Sequence, residues 1–328
     1  MFLKQKPLFL WVETPLHAGS GSDLGIVDLP IQREKHTDFP KIEASGIKGC
    51  LRESFENKLD REDTELNLAF GPENANEAHA GALGFSDARL LLFPVKSVKG
   101  VFAWITCPQI LVRFKRDLEL CGAIKEKDGC KIPEKETVPK ECGLFVKDNK
   151  IVLEEYTFSV ETNEENGATT QFAEWLKNNV AKDMEQFWKD KIGKDVLVLP
   201  DEDFKDFVTM STEVIARTKI DDFTGTVAKG ALWYEEYLPV DSILYSIVFS
   251  GPVFKKEEAD KGTFKVDDSK LNSGKKRTEA EAKKVMDFFT KNLDSILQIG
   301  GNATIGKGFV RTVFLNGKKE EAQNDERN

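Results

Sequence analysis

The sequence is poor in the side chains that hold transition metals. It has three histidines and five cysteines in 328 residues. The number of cysteines is odd, and no two of them approach the CxxC spacing that is typical of zinc sites and redox pairs. We therefore expect a protein of a reducing compartment, without either kind of site. The cysteines are Cys50, Cys107, Cys121, Cys130 and Cys142.

Long apolar runs are also missing. No stretch approaches the roughly 20 apolar residues that a helix needs to cross a bilayer. The first residues, MFLKQKPLFLWVET, contain no apolar core followed by the small-residue cleavage site of a secretory signal. We expect no membrane contact and a cytoplasmic location.

The chain has no excess of positive charge. Its 47 lysines and arginines against 56 acidic residues give a net charge of −9, which excludes a global basic field for nucleic acid or anionic lipid. A polyanionic ligand would need a local basic stripe or backbone N–H groups. With 40% hydrophobic residues, the chain fits two average domains or one large domain with insertions.

The N-terminal part predicts a strand, a loop and a helix. LFLWVE, residues 8–13, has the apolar and aromatic character of a buried strand, and the Gly-Ser run that follows predicts a loop. SGIKGCLRESFENKL predicts a helix capped by Ser45. Its apolar stripe is Ile47, Leu51 and Phe55, and a neighbouring stripe of Lys48 and Arg52 could face an anion.

The middle of the chain mixes strand, helix and loop patterns. The predicted elements, in order, are a strand pair or bulged strand over 83–95, a helix over 106–122 that begins near Pro108, an exposed insertion over 123–143, a hairpin turning at Asp148 and Asn149, and a helical stretch from Phe172 to Phe187.

Residues 208–249 return to a strand pattern. DDFTG, residues 221–225, is a turn signal between two extended arms, so a long hairpin is expected. Polar residues on both arms predict that its tip projects from the body of the protein.

The C-terminal part predicts a helix, a glycine-rich turn and a strand. Thr278 and Glu281 match a capping box, and the apolar face that follows runs to Ile296 and Leu297, with the helix ending at Gly300. FVRTVFL predicts a strand. The charged tail, residues 316–328, is expected to be disordered.

The segment GNATIGK, from Gly301, matches the P-loop pattern except that Gly308 replaces the required Ser or Thr. A helix precedes this loop and a strand follows it, which is the reverse of a P-loop, so we exclude a P-loop NTPase. Two alternatives remain. The segment is a flexible turn, or its glycines let the main chain approach a phosphate backbone. The residues of the second alternative are Gly301, Gly306, Lys307, Gly308 and Arg311.

Four blocks together resemble the RAMP superfamily of CRISPR proteins, and within it the repeated backbone subunit of type III-B, or Cmr-type, effector complexes. In order along the chain they are TPLHAGSGSDLGIVDLPIQRE, FPKIEASGIKGCLRESF, KIDDFTGTVAKGALWYEEYLP and IGGNATIGKGFVR. The first and third blocks are specific, whereas the glycine loop alone is a weak signal.

The resemblance implies an α+β fold with a modified ferredoxin-like, RRM-related core in a single domain over 1–315. It implies an insertion at about 123–200 and a protruding thumb hairpin at about 208–237. Copies of such a subunit would stack along the guide CRISPR RNA as a helical filament. The implied partner subunits are a large polymerase-like subunit, a small helical subunit and capping RAMP subunits. Complementary single-stranded target RNA would be cut at regular intervals.

Asp28 is the principal candidate for catalysis. By itself it would be a turn aspartate or a surface partner of Arg33, although Pro30 biases Leu29 toward extended backbone and stiffens the loop. The resemblance implies that target cleavage depends on Asp28, as a ligand of Mg²⁺ or Mn²⁺ or as a general base. The implied reaction is attack of a ribose 2′-OH on the adjacent phosphate.

The resemblance also implies supporting residues. His17 has two equally weighted interpretations, a loop-closing hydrogen bond or a part in proton transfer. Glu235 and Tyr237 lie two apart on one strand face and could both point at the substrate. Ser45, Lys48 and Arg52 would contact guide phosphates, and these contacts position RNA without reading its sequence.

Three functions therefore stay open at this point. The first is a metal-dependent, RNA-guided endoribonuclease subunit, and the second is a scaffold subunit that binds guide RNA and cuts nothing. The third is a globular protein without RNA.

Overall fold

The computed structural model describes residues 2–23, 25–73, 79–124, 131–255, 257–266 and 274–315. Cys130 and the tail over 316–328 lie outside these residues. The strands are β1 (Lys4–Val12), β2 (Lys41–Ile42), β3 (Leu83–Phe85), β4 (Ala88–Lys96), β5 (Phe102–Thr106), β6 (Thr137–Val138), β7 (Lys150–Leu153), β8 (Tyr156–Ser159), β9 (Glu161–Thr162), β10 (Val196–Val198), β11 (Glu213–Ile220), β12 (Val227–Tyr237), β13 (Ile243–Ser250), β14 (Ile296–Gln298) and β15 (Phe309–Phe314).

The α-helices of the described residues are α1 (Ala44–Glu56), α2 (Thr64–Phe70), α3 (Pro108–Leu120), α4 (Ala168–Asn179), α5 (Gln186–Lys194), α6 (Asp201–Met210) and α7 (Gly274–Asn292). Of two 3₁₀ segments, Glu258–Phe264 lies between β13 and α7, and Ala303–Ile305 lies between β14 and β15. None of the described helices is long and apolar enough to span a bilayer.

One large mixed sheet organises the chain, in the order β14-β15-β1-β13-β4-β5-β10-β6-β9, with β2 beside β4 and β3 beside β13. The predicted strand over 8–13 forms most of β1, which pairs antiparallel with both β13 and β15. Its residues from Leu8 to Val12 are buried because helices cover both faces of the sheet. Phe9 packs against α3 and α4, whereas Phe314 of β15 packs against Phe289 of α7.

Helix α1 confirms the predicted apolar stripe and corrects its cap. Ile47, Leu51 and Phe55 are all buried. Ser45, however, is not the N-cap, because the helix already begins at Ala44. The Ala44 N–H donates to the Asp87 carboxylate at 2.9 Å, so an acceptor distant in sequence replaces the local cap.

The predicted capping box and the end of the C-terminal helix are both wrong. Thr278 lies inside α7, whose described part begins at Gly274. Glu281 is buried and accepts from Lys261 Nζ at 2.7 Å, so it neutralises a distant lysine instead of capping a helix. The helix ends at Asn292. Ile296 belongs to β14, because pairing with β15 overrides the helical spacing of the apolar residues.

The middle of the chain follows most of the prediction with finer divisions. The exposed insertion expected over 123–143 is wrong in its described part, because β6 is buried there and pairs with β10 in the large sheet. Helix α3 begins at Pro108 as expected. Asp148 and Asn149 form a tight left-handed turn, and a second turn at Glu154 produces the β7–β8 hairpin. The helical stretch expected up to Phe187 is divided between α4 and α5.

Strands β11 and β12 form a hairpin outside the large sheet. Asp221 caps its turn by accepting from the backbone N–H groups of Phe223 and Thr224, as the turn signal predicted. The hairpin begins later than residue 208, because α6 extends to Met210. Phe223 at the tip is 99% exposed, so the tip projects into solvent.

Two glycines near the end of the chain offer a matched test of packing. Gly306 and Gly308 both have left-handed backbone, with φ of 74° and 78°. A Cβ at Gly306 would meet open space, whereas at Gly308 it would lie 2.1 Å from the Ile299 carbonyl oxygen. We expect Gly306→Ala to cost about 1 kcal/mol, the strain of left-handed backbone alone. Gly308→Ala should cost about 3 kcal/mol or more. Urea unfolding of both variants measures the difference, and equal losses would contradict the packing at Gly308.

Candidate active site at the root of the hairpin

Strand β12 has a different partner on each edge near its C-terminal end. We call this end, residues 234–238, the root of the hairpin. One edge pairs with β11. The other is occupied by the loop over residues 16–31, whose Leu29 N–H donates to the Tyr234 carbonyl and whose Leu29 carbonyl accepts from Glu236 N–H, both at 3.0 Å. Leu16 and Leu238 exchange a second pair of backbone bonds at 3.0 and 2.8 Å. The loop therefore behaves as an irregular third strand of the hairpin.

Asp28 enters this edge through its side chain. Its Oδ2 accepts from the Tyr234 N–H at 2.7 Å. The carboxylate takes the place that a main-chain carbonyl would have in a regular ladder. Asp28 is exposed, and its Oδ1 has no hydrogen-bond partner among the described residues. One oxygen therefore fixes the side chain while the other faces solvent.

His17 uses the same edge of β12. Its Nδ1 lies 2.7 Å from the Glu236 carbonyl, which makes Nδ1 the donor and leaves Nε2 with a lone pair in the neutral ring. Tyr234 and Glu236 are two residues apart, roughly 7 Å along a strand. His17 and Asp28 thus contact β12 at adjacent positions on one edge.

The glycine loop holds His17 from behind. Gly301 N–H donates to the His17 carbonyl at 2.9 Å. A Cβ on Gly300, whose φ is 83°, would lie 2.2 Å from that same carbonyl oxygen. Gly300 is therefore required for this close approach, although its sequence position marks it only as one of several glycines.

Glu235 and Tyr237 share a face of β12, as predicted, and form a closed network there. Tyr237 OH donates to Glu235 Oε2, and Arg217 donates to both residues, to Tyr237 OH at 2.7 Å and to Glu235 at 3.2 Å. Asn302 Nδ2 also donates to both, at 3.0 and 2.9 Å. Trp233 Nε1 donates to the remaining Glu235 oxygen at 2.9 Å. Both side chains are buried, so this geometry supports a positioning role.

The network fixes the protonation states of its members. Burial alone would raise the pKa of Glu235, but hydrogen bonds from Trp233, Tyr237 and Arg217 outweigh it and hold this pKa below its usual 4.5. Burial and the Glu235 carboxylate raise the pKa of Tyr237 above its usual 10.0. At neutral pH Glu235 is therefore a carboxylate and Tyr237 a neutral phenol.

The sequence reasoning missed Glu236 and its partners. Glu236 Oε1 accepts from Arg33 and from Thr212 Oγ1, the latter at 2.8 Å, and its Oε2 accepts from Ile31 N–H at 3.0 Å. Arg33 therefore pairs with Glu236, and the alternative pairing of Arg33 with Asp28 is wrong. The available signal was the pair of consecutive glutamates in the apolar run LWYEEYLP.

The residues predicted to contact phosphates on α1 differ in their surroundings. Ser45 is exposed. Lys48 is half-buried without an ion-pair partner in the described parts of the chain, and burial, followed by the charge of Arg52, lowers its pKa. Arg52 does not face outward as expected. Its guanidinium donates to Glu56, to the Gly71 carbonyl and to Asn67.

The glycine loop does not present its main chain as predicted. The N–H groups of Gly301, Gly306, Lys307 and Gly308 all donate to carbonyls of this chain, so these amides are not available to a phosphate. Arg311 is paired with Glu13. Of the predicted phosphate contacts in this loop, the Lys307 side chain remains, and its Nζ lies 5.2 Å from the centre of the Tyr237 ring.

We tested whether the predicted divalent cation fits. The described residues contain no group of three or more His, Cys, Asp or Glu side chains that could hold a metal ion. Asp28 supplies one free carboxylate oxygen. This donor suits Mg²⁺, which is often bound by one or two carboxylates, waters and substrate phosphates. The residues therefore fit a cation whose shell the substrate completes and do not form an all-protein cage.

Known proteins resemble the chain over nearly all of its length. The RAMP superfamily profile matches residues 10–311. The CRISPR system Cmr endoribonuclease Cmr4 of Pyrococcus furiosus is 39% identical over 312 residues, which cover 93% of this chain and 94% of that protein. The CRISPR system CMR subunit Cmr4 of Saccharolobus solfataricus is 26% identical, covering 95% and 96%.

Solved structures agree with these relatives. The crystal structure of oligomeric Cmr4 from Pyrococcus furiosus matches with a TM-score of 0.66 and 30% identity, covering 95% of this chain and 98% of that one. A chain in the cryo-EM structure of the type III-B Cmr-beta complex bound to cognate target RNA matches with a TM-score of 0.68, 21% identity and the same coverage, which shows a shared fold.

The Glu235 network predicts a specific pH dependence of stability. Because the folded-state pKa is depressed, the stabilisation is present above the unfolded value, near 4.5, and is lost as pH falls through the lower folded value. Glu235→Gln cannot titrate. We expect the wild type to be more stable by about 2 kcal/mol at pH 7, with the difference shrinking below pH 4.5. Urea unfolding from pH 7 to pH 3 measures it. A difference independent of pH would refute the charged network.

Proposed function

The chain belongs to the RAMP superfamily, and we propose that it is the repeated backbone subunit of a type III-B CRISPR effector complex, in which it binds guide RNA and cuts complementary target RNA. One observation carries the catalytic part of this proposal. Asp28 is exposed and is anchored by one carboxylate oxygen to the root of a projecting hairpin, while the other oxygen has no hydrogen-bond partner in the described parts of the chain.

The hairpin supplies the geometry that RNA cleavage requires. Attack by a 2′-OH needs the nucleotide pulled out of A-form stacking, so that nucleophile and leaving oxygen can align. We assign β11 and β12 as the thumb on a modified ferredoxin-like core. Its solvent-facing apolar residues include Ile220 and Leu232, 50% and 55% exposed, with Phe223 at the tip. The aromatic ring of Phe223 could stack on a base, and the aliphatic side chains could wedge between bases at the point where a nucleotide is displaced.

Each residue at the root then has a role. Asp28 Oδ1 would accept the 2′-OH proton or hold a divalent cation, Mg²⁺ or Mn²⁺, against the scissile phosphate. A bound cation would stabilise the charge that develops on the phosphate oxygens. His17, with Nδ1 fixed to Glu236, would present Nε2 for proton transfer. Glu235 and Tyr237 would keep the strand below them rigid.

The proposed partners follow from the same assignment. They are guide CRISPR RNA, single-stranded target RNA, further copies of this chain and the other Cmr-type subunits. Self-association is supported by the oligomeric relative with 30% sequence identity. The expected site of action is the cytoplasm, where target transcripts occur.

A scaffold that cuts nothing is the second candidate, and one feature favours it. One carboxylate oxygen of Asp28 accepts a hydrogen bond from a main-chain amide, as in an aspartate with a purely structural role in a loop. The two candidates differ in whether the free oxygen is used in chemistry.

Replacing Asp28 separates them. We expect Asp28→Asn to keep the hydrogen bond with Tyr234 through its amide oxygen, and therefore to keep assembly and target binding. Cleavage should fall by about 100-fold or more, because general base or metal binding is lost. Gel analysis of labelled target incubated with the reconstituted complex, with and without chelator, measures this.

Asp183→Asn, at an exposed position distant in sequence from the site, is the matched control and should cut as the wild type does. Undiminished cutting by Asp28→Asn would leave the scaffold as the function. Cleavage that persists with chelator would refute the proposed dependence on a divalent cation.

Guide binding should depend on salt. Lys48→Ala and Lys307→Ala each remove one cation that has no ion-pair partner among the described residues. Each should therefore lower the slope of log affinity against log salt by about one. Filter binding between 50 and 300 mM salt measures the slope. Lys147→Ala, 82% exposed beside Asp148, is the control and should leave it unchanged. A slope near zero for the wild type would refute RNA binding.

A further inference from the structure

We propose that Glu236 is a positioning residue for Asp28, an inference that rests on the proposed function. Its buried carboxylate joins the loop that carries Asp28 to the roots of both hairpin strands. No substrate contact is assigned to Glu236, because its side chain is only 7% exposed and lies on the face of β12 opposite to Glu235.

The contacts of Glu236 reach two segments, the N-terminal segment that carries Asp28 and the residue before β11. Oε2 accepts from the backbone N–H of Ile31, three residues after Asp28. Oε1 accepts from Thr212, directly before β11, and from Arg33. The main chain of Glu236 also binds the N-terminal loop. Its carbonyl accepts from His17 Nδ1, and its N–H donates to the Leu29 carbonyl.

Arg33 completes the anchor. Its Nη1 donates to the carbonyl of Asp38 at 2.7 Å and to the carbonyl of Val208, in α6, at 3.0 Å. The guanidinium therefore ties the loop to the helix that leads into the hairpin. Because Glu236 neutralises Arg33, the charge of Asp28 stays free of an ion pair with this arginine.

Removal of the Glu236 charge would loosen the loop specifically. The Ile31 N–H and the Arg33 guanidinium, whose side chain is 18% exposed, would lose a charged acceptor. The segment between Asp28 and Ile31 would then depend on its remaining bonds, which include those of Asp28 and Leu29 to β12 and those of Ser20 to the Pro30 carbonyl. A displacement of about 1 Å at a reacting group can cost roughly 100-fold in rate.

The experiment uses Glu236→Gln in the full chain, assembled with guide RNA and the other subunits. Three quantities are measured: the single-turnover cleavage rate, the target affinity and hydrogen exchange at the Tyr234 amide, which reports the Asp28 hydrogen bond directly. We expect the rate to fall by about 10- to 100-fold, the affinity to stay within about twofold, and the Tyr234 amide to lose protection. Thr212→Val removes a single bond to Glu236 and should shift rate and protection in the same direction by less, which keeps the test available if Glu236→Gln does not fold.

Asp117→Asn is the matched control. Asp117 is also a buried carboxylate, paired with Arg89 and with the Tyr245 hydroxyl on the large sheet, so its loss lowers stability by the same mechanism. It should leave both cleavage and Tyr234 protection unchanged.

Two results would overturn the proposal: a wild-type cleavage rate in Glu236→Gln, whatever the protection at Tyr234, or a reduced rate with full protection. Failure of the wild-type complex to cut any target would instead refute the proposed function.

Discussion

The open edge of β12 is the constraint around which this end of the molecule is built. A two-stranded hairpin outside a sheet leaves unpaired N–H and C=O groups on both outer edges, which costs free energy wherever water is excluded. At the root, the loop over residues 16–31 satisfies these groups. It does so partly with side chains, and those side chains are Asp28 and His17. The two candidate catalytic residues are therefore also the residues whose side chains satisfy the hydrogen-bonding groups on this edge of β12.

Two consecutive buried glutamates connect this edge to the rest of the protein. Strand alternation sends Glu235 and Glu236 to opposite faces, and each receives its own arginine, Arg217 or Arg33. One face is thereby joined to the glycine loop through Asn302, and the other to the N-terminal loop through Ile31. Because an unpaired buried charge costs several kcal/mol, neither attachment can be broken without that cost.

The sequence predicts what local patterns specify and fails where partners come from far away. Strand β1, the stripe of α1 and the turn at Asp221 depend on alternation, helical spacing and side-chain capping, which are visible within a few residues. Asp87, which caps α1, lies 43 residues from Ala44, and Arg33 lies 203 residues from Glu236. Nothing local distinguishes Glu236 from Glu235. The sheet partner of Ile296 is Arg311 in β15, which the helical spacing of the apolar residues around Ile296 does not reveal, so this strand was predicted as helix.

The basic side chains that are already paired within the chain limit how this acidic protein could bind RNA as proposed. Arg52, Arg217 and Arg311 are all committed to acids or carbonyls of this chain, so these three arginines are not free to contact phosphates. In the described residues Lys48, and Lys219 and Lys229 on the hairpin, have no ion-pair partner. An ammonium group contacts phosphate as a point charge without the fixed bidentate geometry of arginine. That is sufficient for a protein that only has to follow a guide backbone, because base pairing between guide and target supplies the sequence information. A net charge of −9 is compatible with binding to a guide backbone, because a few lysines that line one groove are sufficient.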